Sequence, residues 1–229
     1  MIAIAIGAVV IGIGGKILLG LAAGAVVGGT LGALFGGPFA RLPADQRSQL
    51  DARFTAAIGS RVDGLSDTDK QRRVLTLVKT GLPRLPDSVL IERVQLFTTA
   101  LERTDVATCA AVARGSLQGK VDEAAAEKTI GTLETTAFGR WVEINVEAME
   151  AENSGAPPPR TVAQAASDTM YRQILGQLST DDTTTIAAVA KGGSATDEDA
   201  CAAMRHLYAP GKSLDPVDLA AFALADVTT

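Results

Sequence analysis

"LPDSVLIERVQLFTTALER", residues 85 to 103, places Leu90, Val94, Phe97 and Leu101 four, three and four residues apart. That spacing follows the 3.6-residue period of a helix with one apolar face. The same formula recurs on both sides. "LPADQRSQLDARFTAAIG", residues 42 to 59, opens with Pro43 at an expected first helical position and sets Leu50, Phe54 and Ile58 four apart. "LSDTDKQRRVLTLVKTG", residues 65 to 81, begins at a Ser66 cap with two acids in its first turn and stops at Gly81. Downstream, a helix is expected around 121–134 and a longer one near 137–152. Four more follow near 161–178, 181–190, 197–208 and 216–225. The last has Asp215 as cap and Pro216 at its first position. No segment alternates apolar and polar residues long enough to predict a strand. The expected fold is all-α: an N-terminal Gly-rich transmembrane segment or helical hairpin, followed by a soluble helical bundle.

Composition divides the chain. Residues 1–40 hold eleven of the 23 glycines, no acid, and a single charge at Lys16. Residues 41–229 carry 20 basic against 26 acidic side chains, a net charge of −6. An acidic region offers no electrostatic footprint for nucleic-acid phosphates, so no nucleic-acid partner is expected. The apolar stretch reads as a membrane anchor over 1–40. As one helix it would reach roughly 55 Å, against a hydrocarbon core of about 30 Å. A break is therefore expected at 12–16, where Gly12, Gly14, Gly15 and Lys16 cluster. Residues 17–37 then suffice for a span, ended by Gly36-Gly37-Pro38. Ala23-Gly24-Ala25 fits the small-x-small rule of signal cleavage, but a cut there leaves another apolar run, so an uncut anchor is expected. The helical region divides into 41–152, a Pro-rich linker at 153–160 ("NSGAPPPR"), and 161–229.

Within the anchor, "GLAAGAVVGGTLGALFGG" repeats glycine at Gly20, Gly24, Gly28, Gly32 and Gly36. A glycine every fourth residue cuts a groove along a helix into which another backbone fits closely. This spacing resembles the glycine-zipper segments of bacterial membrane and envelope proteins. The resemblance covers residues 20–36 alone. It implies a membrane helix that packs on its own first arm, on a protein partner, or on copies of itself.

Cys109 in "TDVATCAAV" and Cys201 in "TDEDACAAM" sit in matching contexts, each in the second turn of a helix expected to start at a capping threonine, Thr104 or Thr196. Apolar neighbours at helical spacing (Val106, Ala110 and Ala113; Met204 and Tyr208) turn both cysteines inward. Two inward thiols on opposite sides of the linker read either as two unrelated buried thiols or as one disulfide; the disulfide, and with it an oxidising compartment, is the expectation adopted. Topology signals conflict. Arg41, Arg47 and Arg53 follow the span and would favour a cytoplasmic flank. The cysteines favour the outside of an inner membrane, a periplasmic bundle, and that side is the expectation adopted.

Catalytic signatures are sparse. His206 is the one histidine, and the cysteines are too far apart in sequence for a zinc motif. "APGKS", ending at Ser213, lacks the first glycine of a phosphate loop. The one ordered polar array is Arg140, Glu143, Glu147 and Glu150 on one helical stripe, a candidate cation or acid–base site against the plainer reading of a solvated, ion-paired face. No cofactor, metal or enzymatic activity is expected. The sequence is read as a membrane-anchored envelope protein whose helical part binds another protein. A pore-forming effector assembled through the glycine face, and an envelope enzyme using Glu143 and Glu147, stand as the alternatives.

Overall fold

The computed structural model describes residues 37–119, 122–209 and 214–228. The glycine ridge from Gly20 to Gly36, and the expected break at 12–16, lie outside the described residues, as does Gly211-Lys212-Ser213. Among the described residues no helix is long and apolar enough to cross a membrane.

The described chain is helical, without strands. Its helices are α1 (Ala44–Ile58), α2 (Asp67–Gly81), α3 (Asp87–Arg103), α4 (Val106–Gln118), α5 (Glu123–Ile130), α6 (Thr135–Ser154), α7 (Gln164–Gln177), α8 (Thr180–Ala190), α9 (Asp197–Tyr208) and α10 (Pro216–Thr228). Short 3-10 turns, Gly59–Val62 and Leu82–Arg84, follow α1 and α2. The long helix α6 supports α1 and α2 on one side and α3 on another. Helix α3 in turn packs on α10 and α9, and α9 is flanked by α4 and α8. One apolar core results, centred on Phe54, Leu77, Leu90, Leu101, Phe138 and Trp141. An aromatic chain crosses it: Trp141 to Phe97 at 6.4 Å between centroids, Phe97 to Tyr208 at 4.9 Å, and Tyr208 to Phe222 at 5.7 Å.

Several local signals place their helices as expected. The Ser66 hydroxyl accepts from the Asp69 amide at the start of α2, and Thr196 does the same for Asp199 in α9. The Asp215 carboxylate accepts from the amides of Val217 and Asp218. One expected cap is displaced. Asp105, not Thr104, caps α4, its carboxylate taking the Thr108 amide at 2.9 Å. Both residues are competent caps. Tertiary contacts select between them: Lys128 pairs with Asp105 at 2.8 Å, while Arg205 occupies the Thr104 carbonyl at 2.7 Å. Val106, expected to face inward with Cys109, is instead exposed.

Gly81 does more than end α2. It keeps right-handed helical angles, and a Cβ built on it would lie 1.8 Å from the carbonyl oxygen of Ala148. Glycine there lets the backbones of α2 and α6 meet. Gly81→Ala is expected to destabilise the protein by about 3 kcal/mol, the upper end of overpacking costs. A urea titration of the full chain in detergent, followed by the fluorescence of its sole tryptophan, measures this.

The Pro-rich stretch is held at both ends. The Arg84 guanidinium bonds Glu152 at 2.8 Å and the carbonyls of Gly155 and Pro157. From the other end, Arg160 bonds Asp87 and the carbonyls of Pro83 and Leu85. The segment joining the two parts of the bundle is thus strapped to the 3-10 turn Leu82–Arg84.

Candidate functional site

The acidic stripe of α6 is an ion-pair network. Arg140 bonds Glu143 at 3.0 Å and Glu147 at 2.7 Å on its own helix, and reaches Glu92 of α3 at 2.9 Å. Arg53 of α1 enters from the other side, holding Glu150 through two bonds of 2.9 and 2.7 Å and Glu143 at 3.3 Å. These hydrogen bonds and the surrounding carboxylates raise both guanidinium pKa values. Two fixed cations thus sit among four carboxylates, and the network ties α1 and α3 to α6. Trp141, beside the stripe in sequence, is fully buried. Among the described residues no group of three or more His, Cys, Asp or Glu is placed to hold a metal ion.

Cys109 and Cys201 come together at the crossing of α4 and α9, forming a disulfide with their Cα atoms 5.1 Å apart. Both are excluded from solvent, at 0% and 1% exposure. Around the bridge the two helices run antiparallel and clasp each other reciprocally. Arg114 of α4 bonds the Ala195 carbonyl and Asp197 before and in α9. Arg205 of α9 bonds the carbonyls of Leu101 and Thr104 before α4. The repeated Thr-Asp-x-x-x-Cys-Ala-Ala pattern therefore marks a local pairing of like helices.

The most deeply buried charged group among the described residues is one that no sequence motif singles out. Arg93, 2% exposed, donates from Nη1 to Asp226 Oδ2 at 2.7 Å, and the Tyr208 hydroxyl donates to Asp226 Oδ1 at 2.7 Å. The guanidinium lies over the Trp141 ring, 4.7 Å from its centroid, a favourable cation–π placement. Burial lowers the Arg93 pKa, opposed by the charge of Asp226. Burial and the same carboxylate raise the hydroxyls of Tyr208 and Tyr171, so Tyr208 remains a donor. This cluster joins α3, α6, α9 and α10. The signal for it was present: Arg93 lies three residues after Leu90 and four before Phe97, on the apolar face of α3. Asp226 stands likewise four residues after Phe222.

His206, in the last turn of α9, faces the first turn of α8: its Nδ1 lies 2.8 Å from Asp182 Oδ1. Asp182 also closes a capping box with Ser179. Partial burial pushes the Asp182 pKa up, but the Ser179 and His206 hydrogen bonds outweigh it and hold the carboxyl below its usual value. A depressed folded-state pKa contributes stability that is complete above the ordinary aspartate range near about 3.9 and disappears as pH falls through the folded value. Asp182→Asn is therefore expected to flatten part of the acid limb of a stability-against-pH curve. Thermal unfolding at a series of pH values shows it.

No family model, curated protein or solved structure matches the chain.

Proposed function

We propose that this chain is a membrane-anchored envelope protein whose disulfide-tied helical bundle stands outside the reducing cytoplasm and binds a protein partner. The bond between Cys109 and Cys201 carries this reading, because such bridges persist in oxidising compartments. Two flank arginines that argued for a cytoplasmic bundle have other occupations. Arg53 is engaged by Glu143 and Glu150, and Arg41 by the Gly131 carbonyl and the Phe138 ring. Orientation is set as the span inserts, before these contacts form, so the choice of side rests on the disulfide.

The glycine ridge Gly20 to Gly36 gives the anchor a face for a partner helix or its own first arm. Ion pairing of the Glu143, Glu147 and Glu150 stripe favours a binding module over an enzyme using those carboxylates. The test is protease treatment of intact cells and of spheroplasts carrying a C-terminally tagged chain. The reading expects the tagged bundle to be digested in spheroplasts and protected in intact cells. Protection in both, with digestion only after detergent lysis, would place the bundle in the cytoplasm.

A further inference from the structure

Between the end of the expected span and the bundle there is no spare chain. The apolar run closes at Gly36-Gly37, and two of the next five residues already belong to the folded core. Phe39 and Leu42 are buried, at 4% and 3% exposure. Pro38 lies against the turn joining α5 to α6, where a Cβ built on Gly131 would come within 3.3 Å of its Cγ. Arg41 locks the same turn, bonding the Gly131 carbonyl at 2.9 Å while its guanidinium stacks over Phe138 at 5.5 Å. Backbone bonds from Arg41 to Pro38 and from Leu42 to Phe39 close the joint internally.

We infer that residues 38–42 are a fixed juxtamembrane joint, and that it holds the corner between α5 and α6 against the headgroup layer of the bilayer. A tether would let the bundle tumble and present any face to the lipid. A joint with two core residues and a bridging arginine presents one. The inference rests on the reading of residues 17–37 as a membrane span. It supplies what that reading lacks, the face turned toward the membrane. The opposite orientation marker is the loop before α9. Helix α4 has its N-terminal cap beside Lys128 of α5 and its C-terminal turn beside Val189, and its 13 residues cover roughly 20 Å. The exposed Ser194 therefore lies far from the corner, whereas the exposed Glu134 lies three residues from Gly131.

The full chain is reconstituted in phosphatidylcholine/phosphatidylglycerol vesicles with p-benzoylphenylalanine at position 134 or 194. Vesicle flotation after an alkaline wash first reports whether the chain is embedded. Irradiation followed by mass spectrometry then reports lipid adducts. The expected result is several-fold more adduct at 134 than at 194. Inserting eight Gly/Ser residues between Gly37 and Pro38 is expected to bring the two yields together. Embedded chains with equal yields at the two positions, or a yield at 134 unchanged by the insertion, would overturn the joint while leaving the anchor intact. A chain that fails to float overturns the anchor reading and the joint with it.

Discussion

Replacing Asp226 by alanine is expected to destabilise the bundle by about 3–5 kcal/mol, the cost of leaving a buried charge without its partner. Arg93 would keep a guanidinium that is 2% exposed, and the Tyr208 hydroxyl would lose its acceptor. The damage reaches far in sequence, because Asp226 stands in the last helix and Arg93 in the third. The effect is specific to breaking the pair. Exchanging both partners for apolar residues, as in Arg93→Met with Asp226→Leu, is expected to recover most of the loss, because it removes the desolvated charges together. Urea titrations of the two variants, read by the emission of Trp141 beneath the guanidinium, separate these cases. A double variant as unstable as the single one would show that packing, and not the charge, dominates the site.

The second large effect is expected from the disulfide. Cys109 and Cys201 are 92 positions apart, and on the chain-entropy model closing a loop of that length contributes about 4–5 kcal/mol. The Cys109→Ala, Cys201→Ala double variant should lose most of that in a denaturant titration. Its unfolding midpoint should then be indifferent to reductant, while that of the natural protein falls on reduction. Because both sulfurs are buried, reduction of the natural chain should be slow in buffer and accelerate sharply once denaturant opens the α4–α9 contact.

These two features differ in how far the sequence reveals them, for a physical reason. Helix starts at Ser66, Thr196 and Pro216 are decided within one turn by caps and backbone angles, so they can be read from a few residues. The cysteines were legible as a pair because the chain contains only two and both lie on apolar faces. Choices made by distant partners were not legible. Thr104 and Asp105 are both competent caps, and Arg205 and Lys128 reinforce the choice of Asp105 only once the fold brings them there. Gly81 looks like a helix stop until Ala148 is seen against it. The Glu143–Glu150 stripe shows its own Arg140 at helical spacing, but Arg53 is about 90 residues away in sequence and reaches it only through the packing of α1 on α6. The Pro-rich stretch reads as a linker because three prolines exclude a helix. Its strapping by Arg84 and Arg160 depends on a turn some seventy residues earlier. Arg93 and Asp226 broke the pattern of their own apolar faces, and that irregularity was the trace of the buried pair.

The compartment is the claim on which the proposed function turns, and the thiols report it directly. Protein recovered from its own cells is denatured at once in excess maleimide, digested, and the peptides bearing Cys109 and Cys201 are weighed. An envelope location predicts no label on either cysteine before reduction and full label on both afterward. Complete labelling of both cysteines without reductant would contradict it, and would return the bundle to the reducing side of the membrane.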